Sequence, residues 1–290
     1  MVESQPLVSV IVPSYNHLDY IGQTIASIMS QTYRNIELII VDDNSSDGTS
    51  EYVSTLAASE KIHVFRKSKN KGIIDSLNTG IGLASGKYIA VCASDDYFHI
   101  DKIKEQVEVF EADDNLKILF TEGFAIDSNS NIICEIEYST RDIEKYAFID
   151  VLMKADLPPA SVMFKKKDFD TTGEINPEFY VEDLALWLQL LKDGGYAKVI
   201  KKKLTYYRHH HTNTHMLYNE KVLDSHFKIV QYYSDGIRNK KEVLREWSLR
   251  NALMLSRVNK SKAFSYWKSA GFALGDYRFY WVLIKIIFSK

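Results

Sequence analysis

The chain has 290 residues, of which 46% are hydrophobic and 26% are charged. This balance excludes disordered and fibrous proteins and predicts a globular chain with one large core or two domains. The formal net charge is −2, which gives no electrostatic reason to expect nucleic acid as a partner.

The charges are unevenly distributed along the chain. Residues 236–290 contain 12 basic and 3 acidic side chains, a net charge of +9. Residues 1–235 contain 24 basic and 35 acidic side chains, a net charge of −11. An acidic body is therefore followed by a basic tail.

Several features bear on the compartment. The two cysteines, Cys92 and Cys134, are not in a CxxC spacing, so we expect a reducing compartment without disulfide or zinc frameworks. A strand pattern begins by Leu7 with no basic segment and apolar run before it, so we expect no signal peptide. The longest apolar stretch, FYWVLIKIIF at 279–288, is about half of a membrane span and contains Lys285. We expect a cytoplasmic protein that at most lies peripherally on the inner face of the membrane.

Strand and helix patterns alternate over the first hundred residues. The segment LVSVIVPSYN at 7–16 is a β-branched strand pattern, and DYIGQTIASIMSQTY at 19–33 places isoleucines at helical spacing. The alternation continues with NIELIIVDDNSSDGT at 35–49, KIHVFRKS at 61–68, IIDSLNTGIGLAS at 73–85 and KYIAVCAS at 87–94. Four strands alternating with three helices predict an α/β fold with a mainly parallel central sheet.

Polar side chains follow three of the predicted strands. These clusters are Ser14, Tyr15 and Asn16 after the first strand, Asp42 and Asp43 after the second, and Asp95 and Asp96 after the fourth. Each cluster alone is also typical of a turn or a helix cap. Because ligands of such sheets bind outside the carboxyl ends of the strands, three clusters together predict one ligand site.

The familiar phosphate-binding motifs are absent. No GxGxxG follows the first strand, the segment GIGLASG at 80–86 has a different spacing, and no GxxxxGK[ST] occurs. These absences exclude a dinucleotide-binding dehydrogenase and a P-loop enzyme. A phosphate ligand would therefore need another counter-charge, and a divalent cation held by Asp96 would supply it.

Five motifs, in their order and spacing, resemble those of family 2 inverting glycosyltransferases of the GT-A fold. They are VSVIVPSYN, ELIIVDDNSSDGT, ASDD, YVEDLALWLQLL and YYRHHHTN, within residues 7–213. The resemblance implies a nucleotide-diphosphate-sugar donor, with UDP favoured, and a Mn²⁺ or Mg²⁺ ion. It also implies inversion at the anomeric carbon and a saccharide or lipid-linked acceptor in bacterial surface polysaccharide or glycoconjugate synthesis.

The resemblance also implies roles for residues of the donor site. Pro13 and Tyr15 would line the nucleoside pocket, with Tyr15 against the base, and Asp43 would accept a hydrogen bond from the base edge. Asp95 would face the ribose, and Asp96 would coordinate the metal that bridges the diphosphate. The remaining members of the first polar cluster would complete the donor site: Ser14 and Asn16.

The third motif departs from the family pattern at one position. Ala93 stands where many family members have an acid, so metal binding depends on Asp96 and a more distant ligand.

Two further residues come from the last motif, where the pattern YRxHxxN singles out Arg208 and His210. His210 is either a metal or diphosphate contact or a loop histidine without a ligand. Arg208 either offsets diphosphate charge or forms a structural ion pair.

Asp183, in FYVEDLALWLQLLKDGG at 179–195, is predicted to be the catalytic base. Leu184, Leu188 and Leu191 are at helical spacing, which places Asp183 in the first turn of a helix. The acceptor hydroxyl must lose a proton, and a carboxylate opposite the leaving group can take it. The alternative is that Glu182 and Asp183 only complement the helix dipole.

We predict two domains, a GT-A domain at 1–215 and a helical region at 216–290. The basic tail contains ten aromatic residues among its 12 bases. It is either a structural helical subdomain with a solvated basic face or an attachment to an anionic membrane surface.

Two other functions compete with glycosyl transfer. A sugar-nucleotide nucleotidyltransferase should have a glycine-rich, basic loop after the first strand, and PSYNHLDY at 13–20 has none. A non-catalytic nucleotide-sugar binding module stays open, because binding residues alone do not establish transfer.

Overall fold

The structure, a computed structural model, describes residues 5–56, 61–138, 144–154, 157–210, 220–271 and 276–288. The chain divides into two compact units. The first comprises Met1–Phe148, Asp156–Pro177 and Gln189–His211, and the second comprises Ile149–Ala155, Glu178–Leu188 and Thr212–Lys290. The C-terminal helices therefore share a unit with two segments from inside the predicted 1–215 domain.

All described strands lie in the first unit and form one sheet. They are β1 Val8–Ser14, β2 Ile36–Asp42, β3 Ile62–Arg66, β4 Tyr88–Val91, β5 Tyr97–Phe98, β6 Leu116–Ile126, β7 Ile132–Ile136, β8 Met163–Lys165 and β9 Tyr196–Arg208. The strand order is β3-β2-β1-β4-β8-β6-β9-β5, and β7 pairs with β6.

Half of the sheet is parallel, as the alternating pattern predicted. β1 pairs in parallel with β2 and β4, and β2 pairs in parallel with β3. The register runs from Val8 opposite Ile36 to Ser14 opposite Asp42, which places the ends of β1 and β2 side by side. Every residue of β1 is buried, because helices cover both faces of such a sheet.

The other half of the sheet is mixed. β8 is antiparallel to β4 and β6, β7 is antiparallel to β6, and β5 is antiparallel to β9. The long strand β9 runs parallel to β6 and carries the chain back to the edge where β1 and β2 end. The predicted α/β fold is confirmed, with a sheet that is less uniformly parallel than expected.

The described residues form eleven α-helices. These are α1 Leu18–Met29, α2 Thr49–Ser54, α3 Ile73–Leu83, α4 Lys102–Glu111, α5 Phe148–Lys154, α6 Lys166–Thr172, α7 Asp183–Leu191, α8 Glu220–Tyr233, α9 Lys240–Leu255, α10 Lys260–Ser269 and α11 Tyr277–Phe288. α1 shows how the sequence specifies them, since Ile21, Ile25 and Ile28 recur at helical spacing and are all buried. They pack with the strands in the main core of the first unit.

The second unit has its own apolar core. Leu223, Leu249, Leu255 and Phe279 of α8, α9 and α11 are among its buried members. The helices predicted for the tail are therefore confirmed. Among the described residues, none of the helices combines the length and apolarity required to span a bilayer.

Candidate functional site

The three predicted polar clusters do meet at one edge of the sheet. The backbone N–H of Asp43 donates to the carbonyl of Ser14 at 2.8 Å, which joins the first two clusters. The Nδ1 atom of His17, directly after the first cluster, lies 2.7 Å from Oγ of Ser94, directly before the acid pair. The carboxyl ends of β1, β2 and β4 therefore build a shared polar site.

The two adjacent acids have opposite surroundings, and Asp96 faces the protein interior. Its Oδ1 accepts the backbone N–H of Arg208 at 2.8 Å, while its buried Oδ2 has no hydrogen-bond partner among the described residues. Burial, together with the nearby charge of Asp95, raises the pKa of Asp96 well above its usual range. This shift favours the neutral form of Asp96.

Asp95 faces two histidines instead. Its Oδ2 lies 2.9 Å from Nε2 of His210 and 3.9 Å from Nε2 of His17. Burial acts to raise the pKa of Asp95, but the hydrogen bond with His210 and the proximity of His17 outweigh it and lower the pKa. One ionised and one neutral carboxyl can thus occupy adjacent positions without strong repulsion.

His17 is a site residue that the sequence-based prediction missed. Its hydrogen bond to Ser94 orients the ring so that Nε2 is directed towards Asp95. Burial lowers the pKa of His17, although the charge of Asp95 opposes this effect, so the ring favours the neutral form that binds metals. The available signal was its position directly after the first polar cluster, in PSYNH.

These three side chains have the composition of a metal site. The ligand atoms of His17, Asp95 and His210 all lie within 4.8 Å of one another. Two imidazoles and a carboxylate suit a divalent transition ion such as Mn²⁺ better than Mg²⁺, which prefers oxygen ligands. Asp95, His17 and His210 therefore fit the divalent ion that the resemblance implies. The assignment of Asp96 to the metal stays a prediction that this geometry does not favour, because its carboxyl is buried against Arg208.

Arg208 is buried, and its guanidinium is surrounded by hydrogen-bond acceptors. Its guanidinium donates from Nε to the carbonyl of Asp95 at 2.7 Å and from Nη1 to the carbonyl of Asp127 at 3.0 Å. Nη2 donates to Oε1 of Gln23 at 2.6 Å, and the side chain is only 1% exposed. These contacts hold the loop of the acid pair, and both predicted roles of Arg208 stay predictions.

Asp43, the predicted contact for the base, is fixed by a buried network. Its Oδ1 accepts the N–H of Lys71 at 2.9 Å, and its Oδ2 accepts the N–H of Gly72 at 2.7 Å. The buried Nζ of Lys67 lies 3.1 Å from Asp43 and 2.6 Å from Asp75. Since a carboxylate oxygen can accept two hydrogen bonds, Asp43 keeps capacity for a ligand. Lys67, directly after β3, was not predicted.

The first polar cluster divides into exposed and structural members. Tyr15 is 46% exposed, whereas Pro13, which precedes the cluster in β1, is buried. Asn16 has a positive φ of 55°, and its backbone N–H donates to Ser45 Oγ at 2.9 Å, which makes it a turn residue. The Oγ of Ser14 is buried and has no hydrogen-bond partner among the described residues. Of the three members, Tyr15 is the one placed to contact a ligand through its ring.

Asp183 lies in the second unit, in the first turn of α7 as predicted. Its Oδ1 lies 3.8 Å from Nε2 of His226 on α8. Desolvation and the charge of Asp183 raise the pKa of its neighbour Glu182 to about 8. The catalytic role of Asp183 stays a prediction. His211 of the last motif lies outside the described residues.

Comparison with known proteins identifies relatives along most of the chain. Residues 9–149 match the model of glycosyl transferase family 2. The chain is 34% identical over 211 residues to TuaG of Bacillus subtilis, named as a teichuronic acid biosynthesis glycosyltransferase, with 72% of this chain and 81% of TuaG covered. It is 34% identical over 207 residues to WfaP of Escherichia coli, a UDP-Glc:α-D-GlcNAc-diphosphoundecaprenol β-1,3-glucosyltransferase, with 70% of this chain and 78% of WfaP covered.

Solved structures share the fold at low sequence identity. S. aureus TarS 1–349 in complex with UDP-GlcNAc superposes with a TM-score of 0.71 at 14% identity and covers 97% of this chain and 88% of its own. The mannosyltransferase PcManGT from Pyrobaculum calidifontis, in complex with GDP-Man and Mn²⁺, gives a TM-score of 0.66 at 17% identity. It covers 98% of this chain and 85% of its own.

The mixed sheet with an acid pair after its fourth strand, followed by C-terminal helices, has the GT-A fold. The similarity to TuaG and WfaP along most of their lengths then settles the family. The chain belongs to glycosyltransferase family 2. The resemblance seen in the five motifs is thereby confirmed.

Proposed function

We propose that this enzyme transfers a sugar from a UDP-sugar donor to a hydroxyl of a saccharide or lipid-linked saccharide, with inversion at the anomeric carbon. WfaP, which uses UDP-Glc and a diphosphoundecaprenol-linked acceptor by its name, supports this donor and acceptor class. The UDP-GlcNAc complex of TarS supports a UDP-sugar in this fold. We place the reaction in surface polysaccharide or glycoconjugate synthesis, at the cytoplasmic face of the bacterial membrane.

The convergence of His17, Asp95 and His210 is the observation that carries this proposal. These residues would hold Mn²⁺ or Mg²⁺ at the edge where the donor binds. A divalent ion bound there would offset the negative charge that builds on a diphosphate leaving group. Ser94 and Arg208 support the site, since one orients the His17 ring and the other fixes the acid-pair loop.

The nucleoside would bind beside β1 and β2. The exposed ring of Tyr15 offers a stacking surface for the base, and the remaining acceptor capacity of Asp43 suits an N–H on the base edge. Lys67 and the backbone N–H groups of Lys71 and Gly72 hold the Asp43 carboxylate in one orientation. Such a preorganised acceptor favours a base with an N–H donor, as uracil has.

Asp183 would act as the general base towards the acceptor hydroxyl. Because the pKa of Glu182 is raised to about 8, Glu182 holds a proton at neutral pH. It then adds no negative charge beside the carboxylate of Asp183. Asp183 would take the hydroxyl proton while the acceptor oxygen attacks the anomeric carbon in line with the departing diphosphate. One displacement of this kind gives one inversion.

The test is a donor screen followed by a transfer assay. Nucleotide sugars carrying different bases are ranked by thermal stabilisation of the full chain with Mn²⁺, with Mg²⁺ and with a chelator, because specific binding raises apparent stability. UDP-sugars should stabilise most, and the chelator should remove the effect. The best donor is then assayed with lipid diphosphate saccharides for a product of inverted configuration.

Other outcomes identify the competing functions. Release of pyrophosphate from a nucleoside triphosphate and a sugar phosphate would indicate a nucleotidyltransferase. Binding of a UDP-sugar with neither hydrolysis nor transfer across the acceptor panel would indicate a binding module. A product that retains the donor configuration would contradict the single displacement.

A further inference from the structure

Helix α11 is apolar on both of its sides. One side, formed by Phe279, Val282 and Ile286, is buried in the core of the second unit. The opposite side, which we call the outer face, consists of exposed apolar residues: Tyr277 at 78%, Tyr280 at 40%, Trp281 at 44%, Ile284 at 53%, Ile287 at 57% and Phe288 at 75% exposure. A helix with a polar outer side would need no further partner, but this one leaves an apolar surface uncovered by described residues.

The outer face is a continuous stripe. Tyr277, Trp281, Ile284 and Phe288 are separated by four, three and four positions, which is the spacing of one helix face. A whole aromatic side chain has about 150–250 Å² of surface, so the six partly exposed residues of the outer face together present roughly several hundred Å², as much as the largest apolar patches of typical monomers. Surfaces of this kind mark contact with a partner or a membrane.

One lysine adds positive charge to the outer face, and α10 carries a second pair of an exposed aromatic ring and a lysine. Trp267 of α10 stacks on Phe279 with ring centroids 4.4 Å apart, and the exposed Phe264 stacks on Trp267 at 5.2 Å. The Nζ of Lys268 lies 4.8 Å from the Phe264 ring centroid, and the Nζ of Lys285 lies 5.3 Å from that of Trp281. Lysines directly beside exposed aromatic rings are typical of helices that lie in the interface of an anionic bilayer.

We propose that the outer face of α11, with Lys285, docks onto an anionic lipid bilayer. Charge complementarity selects this occupant over a second copy of the chain. The tail has a net charge of +9, so two tails would repel each other across a shared apolar face, whereas anionic lipid attracts both. With 12 residues, about 18 Å long, α11 is too short to span and suits the plane of the interface.

Sedimentation with vesicles tests this docking directly. The full chain is mixed with vesicles of phosphatidylcholine alone or of phosphatidylcholine with phosphatidylglycerol. It should sediment only with the anionic vesicles, and added salt should weaken the binding because charge screening removes part of the attraction. Binding that ignores both lipid charge and salt, or no binding at all, would overturn the proposal.

Matched variants locate the surface. Ile284→Glu should weaken vesicle binding by about tenfold or more, because an apolar side chain can no longer be buried in the bilayer. Ile133→Glu is the control, since Ile133 on β7 is equally apolar and 58% exposed but lies outside the outer face. Lys285→Gln should weaken anionic binding by about fivefold. Equal effects of the two glutamate variants would refute the assignment.

Two further measurements distinguish bilayer docking from self-association and from a loss of catalysis. Sedimentation velocity without lipid should show the same mass for the unsubstituted chain and for Ile284→Glu. A dimer that only the variant loses would mean that the outer face joins two copies instead. Docking does not rest on the proposed transferase reaction, so hydrolysis of the UDP-sugar in solution should be the same in Ile284→Glu and in the unsubstituted chain.

Discussion

The carboxylate oxygen Oδ2 of Asp95 lies 2.9 Å from Nε2 of His210, although 115 positions separate the two residues in the chain. The contact forms because β9 runs parallel to β6 and ends beside the loop that follows β4. Asp96, the next residue, points the other way and accepts the backbone N–H of Arg208. The end of β9 therefore contacts both acids. His210 contacts Asp95 in the site, and Arg208 anchors the loop through Asp96.

Asp95→Asn should abolish most of the metal affinity of the site. The amide has no negative charge, and it offers only one of the two oxygens of the carboxylate between His17 and His210. We expect Mn²⁺ binding, followed by electron paramagnetic resonance of the free ion, to weaken by at least about 100-fold. Stabilisation by UDP should lose its Mn²⁺ dependence in the same variant.

Asp96→Asn is the matched control for this change. An amide resembles the neutral carboxyl that burial favours at this position, and its oxygen can still accept the N–H of Arg208. Mn²⁺ affinity should therefore change by only a few-fold. The reverse pattern, with affinity lost in Asp96→Asn and kept in Asp95→Asn, would restore the original assignment of Asp96 as the metal ligand.

Asp183→Asn should separate catalysis from donor binding. The amide cannot take the acceptor proton, so transfer should fall by about 10²–10⁴-fold while the Kd for the UDP-sugar is unchanged. Asp193→Asn, an exposed position just beyond the end of α7, serves as the control and should transfer normally. Undiminished transfer by Asp183→Asn would remove this residue from the mechanism.

The parallel half of the fold was predictable because its signals are local. Each of β1, β2 and β4 is a short apolar run that ends in polar residues, and the geometry of parallel strands then places those ends together. The acid pair and its edge of the sheet follow from these facts alone. The family motifs added the order in which the segments occur.

The partners of those residues could not be read from the sequence, because they depend on distant pairings. His17 reaches the site through a hydrogen bond to Ser94, 77 positions away, and the ring of His210 arrives at the end of β9. β9 itself carries several lysines, so it lacks the apolar run that marks a buried strand. The same pairing places the Arg208 guanidinium against the carbonyls of Asp95 and Asp127, which its motif alone does not specify.

Glu182→Gln should flatten the pH dependence of stability. The pKa of Glu182 is raised from 4.5 to about 8 in the folded chain, chiefly by desolvation. Between these values the unfolded chain releases the proton while the folded chain retains it, so the free energy of unfolding falls as the pH rises. Gln mimics the protonated side chain and removes this loss. Urea denaturation should give a more stable variant at pH 8 and similar stabilities below pH 4.5. A variant that is less stable at both pH values would show that the proton on Glu182 is not what sets this dependence.

Lys67→Met should destabilise the first unit and weaken nucleotide binding together. The Lys67 ammonium is buried between Asp43 and Asp75, and its removal leaves the buried Asp43 carboxylate without its cation. A loss of about 3–5 kcal/mol in the free energy of unfolding is expected, measured by urea denaturation. Lys71→Met is the control, because this lysine is half-exposed and its pair with Asp75 is longer, at 3.6 Å. It should cost no more than about 1 kcal/mol. Equal losses would show that burial of Lys67 is unimportant.

Gly123→Ala should disturb the strand pair that carries His210 to the site. A Cβ on Gly123 in β6 would lie less than 3.0 Å from the carbonyl oxygen of Thr205 in β9, and a backbone atom cannot move aside without shifting the strand. We expect a loss of about 1–3 kcal/mol in stability and a weaker affinity for Mn²⁺, measured on the same preparation. Gly82→Ala is the opposite case. Its Cβ would meet nothing within 4 Å, and in helix α3 the change should stabilise by about 0.5–1 kcal/mol without altering Mn²⁺ affinity. If Gly123→Ala left both stability and Mn²⁺ affinity intact, the close contact of β6 with β9 would not be what positions His210.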